Sequence, residues 1–217
     1  MGKRLTVDAL VIGMLGNDVY YVHDGEAGLL VDPSCNSSNI LAWLGDRRVD
    51  AIMLTHYHFD HMGAACELRV ATGAPVFASA IDAPFVEDPG AAPGWHRKVG
   101  PCPVDVCVED GDTVRIGATD WHVMITPGHT PGSMCWYAAA AGAGGTDAAA
   151  AAERGVLLSG DTLFCDGVGR TDFVEGSPED MRASLARLST LPDATDVFPG
   201  HGEPTTIAAE RFRALAR

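Results

Sequence analysis

Three things are scarce in this sequence, and each scarcity excludes a class of protein. Lysine and arginine together number 15 against 29 aspartates and glutamates, a formal net charge of −14. Nucleic acids and anionic membranes are gripped through basic faces, so neither is an expected partner. Paired cysteines are missing too: Cys35, Cys66, Cys102, Cys107, Cys135 and Cys165 stand singly, with no Cys-x-x-Cys among them. Scattered thiols fit a reduced, cytoplasmic protein better than a disulfide framework, and they exclude a zinc ribbon. Finally, no apolar run approaches the ~20 residues that a membrane span requires.

What is present describes a globular chain. Its 217 residues are 47% hydrophobic and 20% charged, enough for one domain over 1–217 with a proper core. The opening "MGKRLTVDALVIGML" is basic and then apolar, as a signal peptide would be. Asp8 interrupts the run and no small-residue cleavage site follows, so the segment reads as a first strand. The match of Gly2 and Thr6 to a myristoylation pattern is short enough to arise by chance.

Turn dipeptides and periodicity divide the chain. Residues 5–12, 18–23 and 27–32 read as strands separated by Gly16-Asn17 and Asp24-Gly25. Ile40, Leu41, Trp43 and Leu44 recur at helical spacing within 37–46, with serines available as caps. A strand at 51–54, a helix near 63–71 and a strand at 76–79 follow; proline and glycine then predict a long surface loop over 83–103. Strands are expected at 113–116, 120–125, 133–137, 155–159 and 196–198. Ser177-Pro178-Glu179-Asp180 starts a helix running to about Leu188, and an amphipathic helix over 206–216 ends the chain. Strands and helices in this order suit an α/β architecture, a four-layer αβ/βα sandwich. The stretch 138–154, "AAAAGAGGTDAAAAAER", reads as a low-complexity hairpin insertion without chemistry.

One stretch does not serve packing. "MLTHYHFDHMG" sets His56, His58, Asp60 and His61 within six positions at the end of an apolar strand. Imidazole and carboxylate are donors suited to zinc, iron(II) or manganese. Three further strand ends carry one residue of the same kind beside glycine: His129 in "TPGHTPGS", Asp161 in "LLSGDTLF" and His201 in "VFPGHGEP". Glycine lets the backbone turn sharply and aim a short side chain into a cleft. His23 and His122 lie on strands and read as structural, whereas Trp95, His96, Arg97 and Lys98 form an aromatic, cationic cluster that could line an entrance.

Together these motifs resemble the metallo-β-lactamase superfamily over nearly the whole chain. "SGDTLFCDGVGRTDFVEG" and "TPGHTPGS" are similar to its glyoxalase II-like (hydroxyacylglutathione hydrolase-like) branch. The resemblance implies two divalent metal ions, zinc foremost, with iron or manganese as alternatives. His56, His58 and His129 would hold the first, Asp60, His61 and His201 the second, and Asp161 would bridge them. Asp60, Asp161 and Arg170 are the expected catalytic side chains, Arg170 either gripping an acidic substrate or pairing with Asp172 or Glu175. A bridging aspartate, with no export signal, speaks against a true β-lactamase, and the charge speaks against a tRNA-processing nuclease.

The implied activity is hydrolysis of a small-molecule S-acyl thioester such as S-lactoylglutathione, by a cytoplasmic monomer or homodimer. The basic C-terminal helical region of full-length glyoxalase II has no counterpart before Arg217, which leaves the thiol carrier open. The alternative is a persulfide (sulfur) dioxygenase with a single iron on His56, His129 and Asp161; a metal-stabilised binding protein without turnover is a further reading.

Overall fold

The computed structural model describes residues 5–93, 99–139 and 154–216. The chain opens as an antiparallel meander, β1 (Thr6–Ile12), β2 (Asn17–His23) and β3 (Gly28–Val31). β4 (Ala51–Met53), β5 (Val76–Ser79) and β6 (Val106–Val108) then add in parallel, completing a six-stranded sheet in sequence order. Helices α1 (Ser37–Leu44), α2 (Phe59–Met62), α3 (Ala65–Thr72) and α4 (Ala83–Glu87) belong to this half.

The second half starts with β7 (Thr113–Ile116), β8 (Thr119–Ile125), β9 (Met134–Ala138) and β10 (Val156–Gly160), each antiparallel to the one before. A small ribbon follows, β11 (Leu163–Phe164) with β12 (Gly167–Val168), then α5 (Pro178–Leu188). β13 (Asp196–Pro199) returns parallel to β10, and β14 (Thr205–Thr206) pairs at the edge before α6 (Ile207–Glu210). The order of this sheet is β14-β13-β10-β9-β8-β7.

The layering follows from side-chain alternation along each strand. Tyr20, Val22, Leu29, Val31, Ala51 and Met53 turn to one face, where they pack with Trp121, Val123, Trp136 and Leu158 of the second sheet. The alternate residues Val19, Tyr21, Leu30 and Ile52 pack instead with Ile40, Leu44 and Leu68 on α1 and α3. Likewise Leu157 and Val197 meet Met181, Leu185 and Leu188 of α5. Both sheets are therefore apolar on both faces, and the result is the αβ/βα sandwich. Ser177 caps α5 by accepting from the Asp180 amide at 3.2 Å, a contact of about 1 kcal/mol.

Four local expectations change. The start of 83–103 is helical and packed, with Ala83 and Val86 of α4 buried in the core and a 3-10 turn, Pro89–Ala91, after it; the described remainder, 92–93 and 99–103, is irregular as expected, with Cys102 buried. β6 is hidden in sequence by its brevity; it forms only as an edge partner of β5. α1 is capped by Asn36 rather than a serine, because Asn36 adopts φ 56°, a left-handed conformation that asparagine tolerates. The expected 206–216 helix divides into α6 and a 3-10 turn, Ala214–Ala216. There Arg211 is tied to Ser189 O, Leu191 O and Asp193 across the neighbouring loop, and Phe212 faces solvent. Residues 140–153 of the alanine-rich insertion and 94–98 of the aromatic, cationic cluster lie outside the described residues.

Candidate metal centre

Five chain segments converge at one edge of the sandwich: the loops after β3, β4, β8, β10 and β13. They bring Asp32, the His56–His61 stretch, His129, Asp161 and His201 together. His56, His58 and His129 point one nitrogen each at a common space, with His58 Nδ1 lying 3.1 Å from His56 Nε2 and 2.9 Å from His129 Nε2. Asp60, His61 and His201 form a second group, His201 Nε2 and His61 Nε2 lying 3.5 and 3.8 Å from Asp60 Oδ2. Asp161 faces both groups: Oδ1 is 3.4 Å from His61 Nε2, and Oδ2 is 3.5 Å from His129 Nε2 and 3.7 Å from His201 Nε2.

The outward nitrogens decide what the inward ones can do. His129 Nδ1–H donates to the Arg170 carbonyl at 2.8 Å, and His201 Nδ1–H to Leu15 O at 3.2 Å. His61 Nδ1–H donates to Asp32 Oδ2 at 2.8 Å, and His58 Nε2–H to Glu175 Oε1 at 3.2 Å. The Thr55 hydroxyl gives its proton to Asp32 Oδ2 at 2.6 Å, so its oxygen accepts from His56 Nδ1–H at 3.0 Å. Each neutral imidazole has one N–H, and in all five it is committed outward. In that neutral form the nitrogens facing the cleft are lone pairs.

Lone pairs and carboxylate oxygens gathered this way fit a cation. His61 Nε2 and Asp161 Oδ1 are buried and have no hydrogen-bond partner among the described residues, which is costly unless something else satisfies them. Burial, reinforced by the neighbouring imidazoles, holds His56 well below the ordinary histidine range and pushes His58 down to about 4. Burial also lowers His129. These three are neutral at pH 7. At His61 burial opposes charge, yet Asp161, Asp32 and Asp60 outweigh it and push the imidazole up to about 10. His201 is raised for the same reason, with burial opposing and Asp60 and Asp161 prevailing. Thus the acidic side of the cleft attracts positive charge, and a divalent cation supplies it without a proton on the ligand nitrogen.

Backbone approach is tight here. A Cβ on Gly200 would stand 2.4 Å from Asp161 Oδ1 and 2.6 Å from His61 Cε1, so only glycine fits.

Sequence reasoning missed the supports. Asp32 ends a strand before a proline, φ 47°, and accepts from Thr55 N, Thr55 Oγ1 and His61 Nδ1. Its only signal was an acid at a strand end, a pattern shared with ordinary turns. Glu175 takes Tyr57 O–H at 3.0 Å as well as His58, and Asn17 Nδ2 donates to Asp60 Oδ2 at 3.0 Å. Arg170 contributes its carbonyl; its guanidinium makes two bonds to Asp172, 2.8 and 2.9 Å, and lies 4.5 Å over the Phe173 ring. Phe173 in turn meets the His58 and His129 rings edge-on, so Arg170 sits at the rim of the cleft. His23 stacks near Tyr21 and His122 bonds Thr113, both away from the site.

Comparison with known proteins agrees with this geometry. Residues 12–143 match the family model described as the metallo-beta-lactamase superfamily. A probable metallo-hydrolase of Bacillus subtilis, YqgX, is 31% identical over 206 residues, 92% of either chain. A hydroxyacylglutathione hydrolase of Ectopseudomonas mendocina is 35% identical over 175 residues, 79% of this chain but 55% of that protein. Among solved structures, the BLEG-1 B3 metallo-beta-lactamase superposes with TM-score 0.82 at 30% identity, covering 96% and 97% of the two chains. TTHA1623 in a di-iron-bound form gives 0.78 at 33%, covering 96% and 98%. ETHE1 from Myxococcus xanthus gives 0.73 at 29%, covering 96% and 82%. The fold, the convergent histidines and aspartates, and these likenesses agree: the chain belongs to the metallo-beta-lactamase superfamily.

Proposed function

We propose that the protein is a binuclear metal-dependent hydrolase of S-acyl thioesters. In this reading His56, His58 and His129 hold one divalent ion, Asp60, His61 and His201 hold another, and Asp161 serves both. The observation that carries it is the position of Asp161, with one oxygen toward His61 and the other toward His129 and His201. Metal ions so held supply a Lewis acid and a water of lowered pKa. The chain's own contribution is to fix five imidazoles in one tautomer and to surround the cleft with carboxylates. The Tyr57 hydroxyl near the site is engaged by Glu175, His56, His58 and His129 are kept neutral, and His61 and His201 are metal ligands in this reading, so none of these side chains offers a proton to a basic leaving group. A thiolate, pKa ~8.5, departs without one, which favours a thioester over an amide. The likeness to a hydroxyacylglutathione hydrolase supports the same chemistry.

A second reading is a mononuclear iron persulfide dioxygenase built on His56, His129 and Asp161. It is supported by the likeness to ETHE1, while the di-iron form of TTHA1623 supports iron as a metal for this fold. Zinc remains our first expectation, and a cytoplasmic location accompanies either reading. The test combines metal analysis with three assays on one preparation: thioester hydrolysis, oxygen uptake with a persulfide, and β-lactam hydrolysis, the last because of the likeness to BLEG-1. Two metals per chain with thioester turnover is the expected result. One iron with stoichiometric oxygen uptake would replace the hydrolase reading. After equal dialysis Asp161→Ala should lower occupancy at both positions, whereas His201→Ala should lower it at one. Full occupancy in Asp161→Ala would refute the shared-carboxylate arrangement.

A further inference from the structure

The β1–β2 hairpin is tied to the metal centre at its base and bare at its tip. Leu15 O accepts from His201, Asn17 Nδ2 donates to Asp60, and the Asp18 amide donates to Gly200 O at 2.9 Å. Gly13 and Gly16, at φ 81° and 66°, turn the chain, and the Gly16 amide closes the turn on Gly13 O at 3.3 Å. Between them Met14 and Leu15 are 80% and 57% exposed. Adjacent large apolar side chains held out in water by an anchored turn mark a place where apolar groups of a ligand settle.

Their position indicates which ligand. Met14 and Leu15 line a pocket of about 410 Å³ that opens beside Asp60, within the usual size of small-molecule sites. Phe59 and Val99 add to its apolar lining, and serines, asparagines and Glu67 supply the polar part. Val99 follows residues 94–98, which lie outside the described residues. Asp60 belongs to both the metal centre and the pocket, so the part of a substrate next to its reacting bond has this space to enter. We propose that Met14 and Leu15 receive an aliphatic segment of the substrate adjoining the scissile thioester. The protein then prefers thioesters with a short alkyl chain beside that bond to those with a bare acetyl group. The inference rests on the thioester reading and narrows its substrate class.

The test measures kcat/KM on the metal-loaded protein for S-acetyl-N-acetylcysteamine and two longer relatives. S-hexanoyl-N-acetylcysteamine carries the added chain on the acyl side, S-acetyl-N-hexanoylcysteamine on the thiol side. A methylene enclosed in an apolar pocket is worth about tenfold or more, so at an open wall we expect about tenfold for the whole added chain. The side on which the chain helps is the side that faces the hairpin. Met14→Ser/Leu15→Ser keeps the Leu15 carbonyl and should bring the ratio of long to short substrate close to one. Loss of metal would lower both rates together and leave that ratio standing. Equal rates for all three substrates in the unaltered protein would overturn the proposal. So would a ratio that the double substitution leaves unchanged; its loss in Trp95→Ala would then assign the selection to residues 94–98. A dimer in sedimentation that Met14→Arg dissociates would give the hairpin to self-association and overturn it too. If no thioester turns over, the thioester reading fails on its own, and the hairpin is judged by calorimetry with stable thioethers. S-hexyl-N-acetylcysteamine binding more tightly than the S-ethyl compound, but not in the double variant, upholds the aliphatic subsite; equal binding of the two overturns it.

Discussion

Asp32 illustrates what a single side chain contributes to this site. With two oxygens it accepts from the Thr55 amide, the Thr55 hydroxyl and His61 Nδ1–H, at 2.8, 2.6 and 2.8 Å. That one carboxylate therefore sets the start of the histidine stretch and the tautomers of both His56 and His61. Asp32→Asn keeps the shape but replaces one acceptor by an N–H₂, which faces donors. Supports of this kind are typically worth 10- to 100-fold in metal affinity, so chelator competition should show a loss of about that size. Unchanged affinity would mean that His61 is oriented by its packing against His56 and His201 instead.

At the scale of elements, a buried carboxylate joins the two halves. Asp82 immediately precedes α4, donates its amide N–H to Ser79 Oγ, and accepts from the Thr130 hydroxyl at 2.8 Å, next to His129. Burial, only partly offset by Thr130, pushes this carboxyl up to about 6 from an ordinary 3.8. The folded state thus holds the proton more tightly than the unfolded one. Its contribution to stability is complete below about pH 4 and is lost as pH rises through about 6. The loss is on the order of 2–3 kcal/mol. Urea denaturation of wild type and Asp82→Asn between pH 4 and 7 should therefore show the variant gaining on wild type as pH rises. Parallel pH curves would mean that Asp82 ionises freely in the folded protein.

For the whole molecule, the alanine-rich insertion tests which parts of the chain the fold needs. Its flanks are already neighbours: Ala138 and Val156 are paired across β9 and β10, and Arg154 bonds Asp196 on β13. We expect replacement of 140–153 by a short turn to leave metal content and turnover nearly unchanged. Closing entropy varies only slowly with loop length, by ~0.6 kcal/mol per doubling, so the melting temperature should move little. Loss of metal from the shortened protein would assign the insertion a part in the site.

Much of this architecture is legible in the amino-acid sequence. Alternation and turn dipeptides mark the strands, because side-chain direction in a strand is local, and the five histidines with Asp60 and Asp161 are visible as donor residues in the loops after strands, whereas Asp32 is not. Spacing within His56–His61 shows that neighbours converge; it does not show that His129, Asp161 and His201 join them, which the resemblance supplies and the packing of two sheets accomplishes. Partnerships across long separations are not legible. β6 exists only beside β5, and Glu175 becomes a support for His58 across 117 positions of chain. The Arg170 guanidinium, ambiguous in sequence, turns to Asp172. Local chemistry determined which residues could bind a cation. Which of their nitrogens face inward was decided by tertiary structure, because an imidazole's tautomer depends on the acceptor behind it, and those acceptors come from distant strands and loops, except at His56, where the adjacent Thr55 is itself set by the distant Asp32.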